Sequence, residues 1–116
     1  MPKQLETSEH AKKDFLKTRY YKTNILLIME YVKKYFEENK IKIVSYDTTY
    51  NEISVEAELY NMTVRFVQVE PAEAVDLFVD SYFLFDFNKT KKLINDFYDM
   101  LGKKFELKGL ALHKEN

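Results

Sequence analysis

The sequence predicts an α+β domain: a long N-terminal helix packed on an antiparallel sheet of about four strands, followed by a C-terminal helix. Three observations carry this expectation. Apolar residues recur at helical spacing between about Ser8 and Lys40, the pattern changes to strict alternation from Glu52, and helical spacing returns after Asn88. The 116 residues, 46% hydrophobic and 16% aromatic, suffice for one core, and no linker, repeat or low-complexity tract divides them. The reading is therefore a single domain over residues 1–116, with residues 1–7 and 113–116 loose.

The first element is read as a helix over residues 8–39, with Ser8 as its cap and Glu9 in its first turn. At about 100° per residue, Tyr21, Ile25, Ile28, Met29, Val32 and Phe36 form a core stripe, with Tyr35 at its edge. Leu16, Tyr20, Leu27 and Tyr31 fall together on a separate flank. A helix on one sheet needs a single apolar stripe, so this second one requires a cover. The C-terminal part of the chain, a partner protein or a second copy would each provide it. A break near Thr23-Asn24 is the other solution, because it would turn Phe15, Leu16 and Tyr20 toward the core.

Ile41 to Tyr46 is read as a strand and Asp47 to Asn51 as a turn. From Glu52, apolar Ile53, Val55, Ala57 and Leu59 alternate with Glu52, Ser54, Glu56 and Glu58, the pattern of a half-buried strand. A hairpin tip at Tyr60-Asn61 would place Val55 opposite Phe66 and Glu56 opposite Arg65. Pro71-Ala-Glu-Ala resembles a helix start, so residues 72–79 are read as a short helix or bend, although they also alternate. Tyr82 to Phe87 is read as a strand. A helix over residues 89–101 follows, capped by Asn88, with Leu93, Phe97, Met100 and Leu101 inward and Gly102 as its stop. Phe105 to Leu112 is an edge strand or a docked tail.

Composition narrows the chemistry. With no cysteine there is no disulfide, thiolate metal site or cysteine nucleophile. Two glycines, at positions 102 and 109, cannot build a P-loop or a G-x-G-x-x-G turn. His10 and His113 sit at opposite ends and are read as solvated residues. Glu52, Glu56 and Glu58 share a strand face, which reads as a solvated surface in preference to a carboxylate or cation site. No catalytic residue, metal or cofactor is therefore expected. The N-terminus lacks the apolar core of a secretory signal, and no stretch has the length of a membrane span, so the expected location is cytoplasmic.

The net charge of −1 conceals a basic start (+3 over residues 1–40), an acidic middle (−6 over 41–100) and a basic end (+2 over 101–116). Residues 11–22 carry Lys12, Lys13, Lys17, Arg19 and Lys22 among Phe15, Tyr20 and Tyr21, a pattern suited to phosphates and bases. Lys89, Lys91 and Lys92 stand at the start of the last helix, against its dipole, where an anion or a partner's carboxylates would compensate them. The leading expectation is a non-catalytic protein-binding domain of adaptor or inhibitor type, with a second copy among its candidate partners. Its interface would be Leu16, Tyr20, Leu27 and Tyr31, or the acidic middle. The alternative is a nucleic-acid-binding accessory protein using the 11–22 segment, and a small enzyme comes third.

Overall fold

The computed structural model describes residues 3–69, 72–82 and 87–110, and they form an α+β fold. In chain order the strands are β1 (Lys3–Glu6), β2 (Arg19–Lys22), β3 (Lys42–Asp47), β4 (Glu52–Glu56), β5 (Tyr60–Val69), β6 (Ala72–Ser81) and β7 (Glu106–Leu110). The helices are α1 (Ile25–Glu38) and α2 (Phe87–Lys104), and a short 3-10 turn spans Asp14–Leu16. All strand pairings are antiparallel. The sheet runs β3-β4-β5-β6-β2-β7, and β1 pairs with β6 on the same edge as β2.

The expected sheet of about four strands thus becomes seven, and the expected helix over residues 8–39 is confined to α1. The reason lies at Asn24. Its backbone is extended and its side-chain oxygen accepts the amide of Leu27, which caps α1 there. Upstream, Arg19 to Lys22 is held as a strand between β6 and β7. A strand sends successive side chains to opposite faces. Tyr21 therefore enters the main core, and Tyr20 joins a small buried cluster with Ala72 and Ala74 on the other face. The N-terminal segment expected to be loose is also ordered from Lys3, with Leu5 packed on the core and Thr7 buried. Ser8, expected as a helix cap, instead bonds through its backbone to Leu16 and Thr18 and closes the intervening loop.

Two further expectations change. Residues 72–81 are a ten-residue strand, not a helix or bend, because β6 is paired along one edge by β5 and along the other by β1 and β2. The β4–β5 hairpin turns at Glu58-Leu59, not Tyr60-Asn61, with Ala57 bonded to Tyr60. Val55 accordingly faces Met62 and Glu52 faces Arg65. Each partner moves by an even number of residues, so the paired side chains of β4 and β5 keep their expected faces. Leu59 lies exposed at the tip instead of on the expected core face, and Ala57 beside the turn is only partly buried.

Residues 83–86 of the expected Tyr82–Phe87 strand lie outside the described residues, as do residues 113–116. Tyr82 follows β6 outside any strand, and Phe87 begins α2. That helix runs through Gly102 to Lys104 and does not stop at the glycine. Its inward face is Ile94, Phe97, Tyr98 and Leu101, with Leu93 and Met100 at the margin. Both helices pack on one face of the sheet. Ile28, Met29, Val32 and Phe36 of α1 and the inward residues of α2 cover Ile53, Val55, Met62, Val64, Phe66, Val75, Leu77 and Val79.

Candidate functional site

On the edge of β6, the ends of β1 and β2 meet at a polar knot. The hydroxyls of Thr7 and Thr18 both donate to Asp76 Oδ1 at 2.6 Å. Thr7 Oγ1 also accepts the amide of Leu77, and the single hydroxyl proton of Tyr98 is shared between the carbonyl of Val75 at 2.8 Å and Thr7 Oγ1 at 3.2 Å. The strand change therefore leaves these backbone groups satisfied. Burial pushes the Tyr98 phenol far above the ordinary tyrosine range, and burial does the same to Tyr21, whose hydroxyl donates to the carbonyl of Tyr98. Neither phenol is poised to exchange a proton near neutrality, so the knot is structural.

The four residues expected to share one apolar stripe divide among three places. Leu16, in the 3-10 turn, packs partly against the main core, and Tyr20 is buried on the opposite face of the sheet. Leu27 and Tyr31 stay together on α1. Tyr31 packs edge-on against Phe105, with ring centroids 5.4 Å apart, whereas Leu27 is 59% exposed. Neighbouring Leu26 is 76% exposed, and Leu107 at the sheet edge is 44% exposed. Leu27, Tyr31 and Phe105 line a groove of about 510 Å³, rimmed by Glu30, Lys34, Glu37 and Lys104. Phe105 is the member that sequence reasoning missed. Taking Gly102 as a helix stop assigned Phe105 to a separate tail and hid its proximity to Tyr31.

The basic residues also divide. Lys12, Lys13 and Lys17 lie on or beside the loop that carries the 3-10 turn, and the fold brings this loop to the start of α2. Lys91 Nζ sits 5.1 Å from the centroid of the Phe15 ring, and Lys13, Asp14, Phe15, Asn88 and Lys91 border one cavity of about 630 Å³. Lys17 pairs with Asp14 at 3.5 Å. Lys92 bonds Asp96 at 2.7 Å, which holds its ammonium above the usual lysine range through the hydrogen bond and then the opposite charge. Lys89 is exposed in the first turn of α2. Arg19 and Lys22 are placed elsewhere: Lys22 lies 4.0 Å from Glu106, and Arg19 stacks on Tyr98.

The carboxylates of β4 do not converge. Glu52 bonds Arg65 at 2.7 Å, Glu56 stands in the row of Asn61, and Glu58 is in the hairpin tip. Among the described residues, no group of three or more His, Asp or Glu is arranged to hold a metal ion, and no helix is long and apolar enough to cross a membrane. An open cleft of about 780 Å³ along α2 was not foreseen. It runs from Tyr31 and Tyr35 on one side to Arg19, Tyr98 and Leu107 on the other. These geometric features are the basis for any functional reading, because no family model, curated protein or solved structure matches the chain.

Proposed function

We propose that this chain is a non-catalytic protein-binding domain whose docking site is the groove formed by Leu27, Tyr31 and Phe105. The observation that carries the reading is the exposure of Leu26 and Leu27 beside that groove. An apolar floor within a polar rim is the usual anatomy of a protein interface. Glu30 and Glu37 against Lys34 and Lys104 give the rim both signs of charge in equal number. Such a rim can meet its own copy across a two-fold axis with opposite charges facing. A second copy is therefore the occupant we assign, and an adaptor or inhibitor role is compatible with it.

Light scattering on a size-exclusion column, over a wide concentration range, tests this directly. Wild type is expected to run as a dimer of the 13.9 kDa chain. Leu27→Glu should run as a folded monomer with an unchanged circular dichroism spectrum, because Leu27 is exposed and contributes little to the core. A wild-type protein that is monomeric at every concentration would exclude self-association through the groove.

A second reading, a nucleic-acid-binding accessory protein, draws on the meeting of the 12–17 loop with the start of α2. Lys13 and Lys91 border the cavity at Phe15 together with Asp14, and Lys12 adjoins Lys13 in sequence. It predicts binding to single-stranded DNA or RNA that weakens steeply with salt and is lost in the triple variant Lys12/Lys13/Lys91→Glu. Retention on nucleic-acid columns that is indifferent to the triple change would eliminate it.

A further inference from the structure

We propose that the cleft between α2 and the β2–β7 edge binds a small molecule through a single anionic oxygen group, a carboxylate or a phosphate, seated on Arg19. This site shares only Tyr31 with the docking groove and does not depend on it.

Two independent features point to a ligand. The first is Arg19 itself. Its register opposite Val75 places it on the helix-covered face of the sheet, and its guanidinium carbon lies 4.4 Å from the centroid of the Tyr98 ring. The ring fixes the plane of the guanidinium, and the Tyr21 hydroxyl is its polar neighbour within the core. Nε is buried and has no hydrogen-bond partner, and among the described residues no carboxylate lies within ion-pair distance of it. A partly buried guanidinium without a counter-ion is costly, and a planar carboxylate or phosphate is the group its donors match.

The second feature is Gly102. A glycine inside a helix is unfavourable relative to alanine. Nothing at this position requires it: a Cβ built there meets no atom within 4 Å, so no close packing explains the missing side chain. Gly102 lines the cleft together with Arg19 and Leu107, and its missing side chain leaves space there.

The surroundings narrow the ligand. Arg19 and Lys103 are balanced by Asp96 and Asp99 along the cleft, and Asp96 is already tied to Lys92. That balance suits one anionic group and repels a polyphosphate. The rings of Tyr31 and Tyr35, with Leu107, offer an apolar bed for the remainder of the molecule.

The test is titration of the intact chain with benzoate and, separately, with phenyl phosphate, followed by amide chemical shifts. Saturable shifts at Arg19, Gly102 and Leu107 are expected for at least one probe, and which probe binds distinguishes a carboxylate from a phosphate ligand. Arg19→Gln should weaken binding at least tenfold. Because Arg19 also packs on Tyr98, Gly102→Leu provides a second variant. It has room to fold, fills the cleft mouth, and should weaken binding to a similar degree. The absence of saturable shifts with both probes would overturn the proposal, as would binding unchanged in both variants.

Discussion

Lys40 follows the last turn of α1 with φ of 57°, a conformation that non-glycine residues rarely adopt. The bonds Ile41 N–H to Phe36 O and Lys40 N–H to Glu37 O explain why it is held there. They form the paired closure of a helix C-terminus, in which the left-handed position normally belongs to glycine. Lys40→Gly should therefore stabilise the domain by about 1 kcal/mol, read as a raised urea midpoint with unchanged slope. The buried phenols make the opposite kind of statement. Tyr21 and Tyr98 have folded pKa values raised by burial above the value of about 10 expected in an unfolded chain. The folded state thus holds more protons in alkali, so their contribution is complete at neutral pH and declines as pH rises through that value. In a tyrosinate absorbance titration these two of the nine tyrosines should ionise only as the chain unfolds. Full ionisation of all nine in a chain that remains folded would contradict their burial.

At the scale of elements, α1 depends on a cap that divides it from β2. Asn24→Ala removes the acceptor of the Leu27 amide and should cost about 1 kcal/mol, measured by chemical denaturation. The same cap explains what could be read from sequence and what could not. The core face of α1 was legible, because Ile28, Met29, Val32 and Phe36 repeat at helical spacing and are buried. Residues 8–22 carry apolar groups that fit the same wheel by chance. Their true conformation is imposed by β6 and β7, far along the chain, and no local pattern encodes that. The alternation of β4 and β5 was legible for both faces, but the hairpin tip was not, since an even shift in register preserves the pattern. For β6, the residues Pro71-Ala-Glu-Ala spoke for a helix, and pairing on both edges overrode that local preference. As for the candidate sites, Leu27 and Tyr31 could be singled out from their spacing. The Arg19 cleft and the contribution of Phe105 depend on which strands become neighbours and were hidden from a local reading.

For the whole molecule, β7 is the sheet edge beside β2, and Phe105 leads into it from α2. Ending the chain before Phe105 would remove the aromatic partner of Tyr31 and leave β2 with a bare edge. Such a truncation should lose cooperative unfolding, with circular dichroism of an incompletely folded chain. A sharp native-like transition would mean that β7 is dispensable. The order of the strands has a further consequence in time. Thr7 and Tyr98, joined in the polar knot, are 91 residues apart in sequence, and β2 pairs only with strands that follow it. During synthesis β1 and β2 emerge before β6, the strand that both of them pair with, so they have nothing to join until residues 72–81 have been made. The sheet therefore closes through contacts between distant parts of the chain, at the slow pace that such contacts set. Until then the Arg-Tyr-Tyr-Lys segment is an unpaired, aromatic strand in waiting, and a nascent chain is most open to chaperones and to misassociation during that interval.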